Sequence, residues 1–190
     1  MKKIKKFKVN LRVREIMRVI KKLTNSAELT PEIEEAVQRG CHFYSKALIP
    51  AVVCETFAKG FLPFIYEKDA PAKWVAQSVF FVTIGSELER EYKKNEEAFG
   101  QHTSKIVSAV AVDALDQAKN FIARLIAQEA QDESCELSRA ADIEPDFYEA
   151  AFNAVCAGKI DITLQDGKLI PQYSSCGLFY WTPSKKKNKK

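Results

Sequence analysis

Phe7, Val9, Leu11 and Val13 fall on one side of the stretch Lys6 to Val13, and this strict alternation predicts a half-buried strand. From Arg14 the period lengthens: Ile16, Val19, Ile20 and Leu23 recur at helical spacing. Thr30-Pro31-Glu32 reads as a helix start, with Thr as N-cap, Pro in the first helical position and an acid in the first turn. Ile33, Val37, Gly40, Cys41 and Tyr44 continue it, and Pro50 ends the run. Ala51 to Phe57 and Phe61 to Tyr66 read as strands around the turn signal Ala58-Lys59-Gly60. A brief helix is expected at Pro71 to Gln77, then a strand Val79 to Thr83 that runs through Gly85 into a charged helix from about Glu87.

The strongest repeat spans Ser104 to Gln131, where Val107, Val110, Ala111, Ala114, Ala118, Phe121, Ile122, Leu125 and Ile126 mark one face of a helix about 40 Å long. So much alanine requires close packing, most simply on a sheet. Further on, Cys135 to Arg139 predicts a short strand and Pro145 to Ala157 a helix stopped at Gly158. Asp161 to Leu164 and Lys168 to Ile170 form a hairpin about Asp166-Gly167, and Ser175 to Thr182 a last apolar strand. The expected fold is α+β, a single domain over residues 1–183 with a twisted antiparallel or mixed sheet packed with long helices. Residues 1–48 precede a core at 49–183, and 184–190 form a disordered basic tail.

Composition narrows the class. With 46% hydrophobic and 28% charged residues the chain is globular, and no apolar run reaches the roughly 20 residues of a membrane helix. The basic N-terminus has no apolar core behind it, so no secretory signal is expected and the expected location is cytoplasmic. The net charge of +4 comes from lysines clustered in the first eight and last six residues; the body between them is mildly acidic. No aromatic residues interleave the lysines of the C-terminal tail, which argues against nucleic acid. The five cysteines are scattered, with no C-x-x-C pair, so they read as small buried hydrophobes rather than disulfides or metal ligands.

Candidate chemistry begins at Gly85. A strand leading through glycine into a helix suggests a phosphate site, but Gly85-Ser86-Glu87-Leu88-Glu89 holds one glycine and no lysine. Ser86 and Glu89 have capping-box spacing, and the first-turn carboxylates repel phosphate. A ligand there is expected to be neutral or cationic, with Glu87 a candidate for a cationic group. His42 and His102 lack metal-ligand spacing; His42 is read as a half-buried tip of a core helix, and Asp113 and Asp116 as the solvated face of the long helix.

Four stretches in order resemble the activation domain of cobalamin-dependent methionine synthase and its free-standing relatives. VFFVTIGSE at Val79 to Glu87 resembles a strand ending in Thr-hydrophobic-Gly; Ala109 to Gln128 resembles an alanine-rich helix; CELSR at Cys135 to Arg139 resembles the strand carrying a binding arginine. KLIPQYSSCGL at Lys168 to Leu178 resembles a closing Pro-x-Lys-Ser-x-Ser-Gly segment, and Ile49-Pro-Ala-Val-Val fits an earlier strand. The resemblance, from Ile49 to Thr182, implies S-adenosylmethionine bound near a cobalamin or other corrinoid that a partner protein or methyltransferase carries, with an electron donor protein reducing the cobalt. It implies Arg139 on an anionic ligand group and Tyr173, Ser174 and Gly177 in the groove wall. The chain departs from the family at Ile143-Glu144, which stand where Arg-x-x-x-Gly-Tyr ends, at Tyr173 in the lysine position and at Cys176 in a serine position. Catalytic residues are not identified, no metal site is expected, and the binding cleft is expected where the late strands meet the long helix. The alternative is a non-enzymatic interaction module that keeps the fold without the ligand, and a further one an RNA-associated protein using its lysine-rich ends.

Overall fold

Every strand pairing in the main sheet is antiparallel, and the chain's most apolar strands occupy its centre. The computed structural model describes residues 1–25, 30–61 and 70–184. The strands are β1 (Lys2–Lys5), β2 (Ala51–Ala58), β3 (Ala76–Thr83), β4 (Cys135–Leu137), β5 (Ala141–Asp142) and β8 (Ser174–Pro183), with β6 (Thr163–Gln165) and β7 (Lys168–Ile170) in a separate hairpin. The order is β1-β2-β3-β8-β4, and β5 also pairs with β8. Central β3 is buried along nearly its whole length, as its unbroken run of apolar residues requires. The helices are α1 (Val13–Thr24), α2 (Pro31–Tyr44), α3 (Glu87–Lys94), α4 (Thr103–Asp132) and α5 (Tyr148–Val155).

Strand alternation splits the core in two. Val53, Val79, Phe81, Leu178 and Tyr180 face α5 and the hairpin. Val52, Phe80, Val82, Phe179 and Trp181 face Ala118, Ile122, Ile126 and Ala130 of α4. A third cluster joins α1, α2, α3 and the first half of α4, so the α+β reading holds and the long alanine-rich helix does pack on the sheet. Gly40 permits the crossing of α2 and α4, because a Cβ there would stand 2.5 Å from Ile106 Cγ2. Thr30 caps α2 through its side chain, accepting from the Ile33 N–H. The Asp166-Gly167 turn joins β6 and β7 with positive φ at both residues, the type I′ geometry that Asp-Gly favours. Among the described residues, no helix is long and apolar enough to cross a membrane.

Several expectations are corrected. The first strand is Lys2–Lys5, not Lys6 to Val13: Lys6 has φ 58° and turns the chain off the sheet. Phe7 then stacks on Phe121 at 4.4 Å, and Val9, Leu11 and Val13 pack into the helical cluster, so the alternation serves α4 rather than a sheet. The lysines of β1 lie on an edge strand, where charge blocks further pairing; Lys2 is ion-paired with Glu129 and Lys5 with Asp161 at 2.6 Å. Pro71 to Gln77 is no helix but a turn leading into β3. The last helix ends at Cys156, whose φ of 51° breaks it before Gly158. The strand read at Phe61 to Tyr66 lies, beyond Phe61, outside the described residues, as does the tail after Ser184.

Asp113 is 1% exposed rather than solvated. Its carboxylate accepts from the Arg12 N–H at 2.9 Å, Arg12 Nε at 2.8 Å and Gln117 Nε2 at 2.8 Å. Gln117 in turn donates to the Asn10 carbonyl at 2.8 Å. This polar clasp holds the N-terminal segment against α4, because a buried carboxylate is tolerated only when its oxygens are bonded.

Candidate functional site

At one end of the sheet, β3 leaves for α3 as β8 enters beside it. The Thr83 hydroxyl ties the two together, accepting from the Gly85 N–H at 3.1 Å and the Ser174 hydroxyl at 3.0 Å. The backbone ladder runs past the strand ends, Ile49 N–H donating to Ile84 O at 2.9 Å and Ile84 N–H to Tyr173 O at 3.2 Å. Gly85 turns with φ +81°, and a Cβ there would meet Ile49 at 3.0 Å. Glycine is therefore required by the turn and by the close approach of Ile49.

The capping box does not form. Ser86 makes no side-chain cap, and Glu89 instead accepts the Gln172 N–H at 2.6 Å. That carboxylate clasps the β7–β8 connection to α3, a long-range partner that the local spacing does not reveal. Glu87 is ion-paired with Arg90, and Glu91 with Lys94 at 2.9 Å.

Behind α3 three tyrosines converge. Tyr44 ends α2, Tyr92 lies on α3 and Tyr173 precedes β8; all three belong to one apolar cluster. Tyr44 is 0% exposed, and its hydroxyl has no hydrogen-bond partner among the described residues. Burial pushes its phenol up to about 12, and the nearby Tyr92, Glu91 and Tyr173 add to the rise. Burial also raises Tyr173, which a hydrogen bond with Ser108 of α4 partly offsets and Glu89 and Tyr92 reinforce. An orphaned buried hydroxyl costs free energy and marks a place for a water or ligand group. Beside the cluster lies a cleft of about 350 Å³ lined by His42, Phe43, Lys46, Ala47, Glu87 and Glu91. His42 is exposed at its rim, not the half-buried tip expected from sequence.

Tyr173 and Ser174 thus sit at the start of β8, next to the Gln172 that Glu89 of α3 holds, whereas Glu87 lines the cleft and neither Tyr173 nor Ser174 does. Gly177 lies farther along β8, about 10 Å from Ser174 at strand rise. It is needed there for packing: a Cβ would come 2.8 Å from Phe80 Cζ and 2.9 Å from the Ala141 carbonyl oxygen, so only glycine lets β5 lie over β8. Arg139 stands apart. Leu137 pairs with Trp181 and Ala141 with Leu178, four residues advancing against three. Arg139 and Ala140 thus form a bulge opposite Phe179, about 17 Å along β8 from Ser174. The Arg139 side chain is exposed and makes no hydrogen bond or ion pair among the described residues. Between the late strands and α4, where sequence placed the cleft, Phe80, Phe179 and Trp181 fill the space. A cleft remains open at the rim of that layer, beside Leu137, Ser138 and the C-terminal half of α4, and another lies at the α3 corner.

Tyr44, Tyr92 and Glu91 had no signal in the sequence, since each is at ordinary helical spacing and they meet only through the fold. The cleft sets two carboxylates, Glu87 and Glu91, beside one cation, Lys46, and the ring of Phe43, and its volume lies at the low end of the roughly 300–1,000 Å³ of ligand pockets. Arg90 and Lys94 are exposed partners that an incoming cation displaces at little cost.

No protein-family profile matches the chain, and no curated protein matches it. Among solved structures it is similar to the MetH reactivation domain bound to AdoHcy, with a TM-score of 0.60 at 14% identity, covering 98% of this chain and 80% of that one. The fold is that of the MetH reactivation domain.

Proposed function

We propose that this protein is an activation-domain-like accessory of corrinoid-dependent methyl transfer that binds an S-adenosyl compound at the α3 corner. The observation that carries the reading is the likeness, over 98% of the chain, to a reactivation domain solved with AdoHcy. S-Adenosylmethionine would supply a methyl group from its sulfonium to the reduced cobalt of a corrinoid that a partner protein carries, with an electron donor protein as the reductant. Glu87 and Glu91 would hold the positive end of the ligand, and the tyrosine rings would exclude water around it. The orphaned Tyr44 hydroxyl would find its partner in the ligand or in a water bound with it. Ser174, fixed through Thr83, and Tyr173, fixed through Ser108, would form a preset wall. Exposed Arg139, apart from that corner, would remain free for a carboxylate on the corrinoid partner.

Titration calorimetry of the full chain with S-adenosylmethionine tests the reading. Binding that weakens in Glu87→Gln is the expected result. The absence of heat at millimolar ligand would overturn it and leave the second reading, a non-enzymatic interaction module. One feature favours that alternative: Arg139 is exposed and stands away from the α3 corner.

A further inference from the structure

A second cleft, of about 590 Å³, runs beside the C-terminal half of α4. Its apolar lining includes the stacked rings of Phe7 and Phe121, at 4.4 Å and 16° between planes, with Phe179 of β8. Its charged lining is Lys8, Arg12 and Arg124, and no carboxylate lines it. Arg12 is already neutralised by Asp113, on which its Nε bonds at 2.8 Å. Lys8 and Arg124 are exposed, and neither makes an ion pair among the described residues; Arg124 Nε reaches only the Asn120 carbonyl, at 3.3 Å. The Asn120 carboxamide is exposed in the same wall and makes no hydrogen bond among the described residues.

We infer that this cleft binds a small anion carrying a flat apolar ring. The ring would lie against Phe7, Phe121 and Phe179, the anionic group would sit between Lys8 and Arg124, and Asn120 would bond a polar atom at the ring's edge. Charge selects the class. Two uncompensated cations over an aromatic floor attract an anion and repel a sulfonium or an amine, so this site takes a ligand of opposite sign to the α3 corner and stands whether or not that corner binds. The stem of each basic side chain can cover the ring's outer face while its charged head stays in water.

The test uses two fluorescent probes with the same rings, anilinonaphthalene sulfonate and its uncharged analogue phenylnaphthylamine, on the full chain at low salt. The sulfonate is expected to bind about tenfold more tightly than the neutral probe and to weaken as salt is added. The double variant Lys8→Glu/Arg124→Glu, at two exposed positions, is expected to lower sulfonate affinity about tenfold and leave the neutral probe unchanged. Unchanged far-ultraviolet circular dichroism would confirm its fold. Equal affinity for the two probes, a sulfonate affinity indifferent to salt and to the double variant, or no sulfonate binding at millimolar concentration would each overturn the inference.

Discussion

The α3 corner and the α4 cleft are built from the same kinds of parts, aromatic rings beside charged side chains, yet their charges are arranged differently: carboxylates paired with cations at α3, cations without carboxylates in the lining at α4. At α3 the sequence places Glu87, Glu89 and Glu91 with Arg90, Lys93, Lys94 and Tyr92 on one short helix, and the fold adds Tyr44 and Tyr173. At α4 it places Arg124 on a long helix, and the fold adds Lys8 and three phenylalanines. Tyrosine brings hydroxyls that must be satisfied, and one at α3 is not. Phenylalanine brings none, so the α4 cleft holds no comparable polar demand. The difference teaches that a ring-lined surface is selective through its charged rim and its unsatisfied atoms rather than through its apolar area.

The largest effect is expected from Asp113→Ala, which removes the clasp that holds one wall of the α4 cleft. Loss of about 3 kcal/mol in urea unfolding is predicted, with sulfonate binding at α4 altered, because the wall loosens and Arg12 loses its counter-charge, and ligand binding at the α3 corner unaltered. If both regions failed together, their independence would be lost. Gly177→Ala comes next, at about 2 kcal/mol of destabilisation, because the added Cβ meets the Ala141 backbone, which cannot swing aside.

Tyr44→Phe sharpens the comparison by removing the orphaned hydroxyl. The free protein should gain about 1 kcal/mol, while affinity for S-adenosylmethionine falls. The variant should also change the pH dependence. With its folded pKa raised from 10.0 to about 12, Tyr44 contributes stability that is fully present below pH 10 and is lost as pH rises toward 12. Stability of the native protein should therefore fall across that window, and less steeply in Tyr44→Phe, as followed by urea unfolding at each pH. The smallest effect belongs to Ser86→Ala, expected to shift stability by less than about 0.5 kcal/mol. A loss near 1 kcal/mol in thermal unfolding would mean that Ser86 caps α3 after all.

Much of the fold was legible because local signals were strong. Thr30-Pro31 started α2, Asp166-Gly167 closed the hairpin, and the alanine-rich repeat gave α4 almost to its ends. Failures came where a distant partner decided the outcome. The alternation of Phe7 to Val13 fits a sheet or the flank of a helix equally well, and the turn at Lys6 chose the helix. Asp113 read as solvated because its partner Arg12 is far away in the chain. Ser86 and Glu89 read as a capping box because nothing local announced the Gln172 N–H. Of the residues around α3, Glu87 drew notice from its place after Gly85, and Tyr173 and Ser174 only through the family resemblance. The tyrosine cluster and the bulge at Arg139 follow only from strand register and helix packing.

Chemical-shift mapping with S-adenosylmethionine tests the central claim most directly, since it locates a ligand as well as detecting one. The account predicts perturbed amides at Glu87 to Tyr92 and at Tyr173 and Ser174, with those of Gln117 to Arg124 unmoved. Shifts confined to the α4 cleft, or none at saturating ligand, would contradict it.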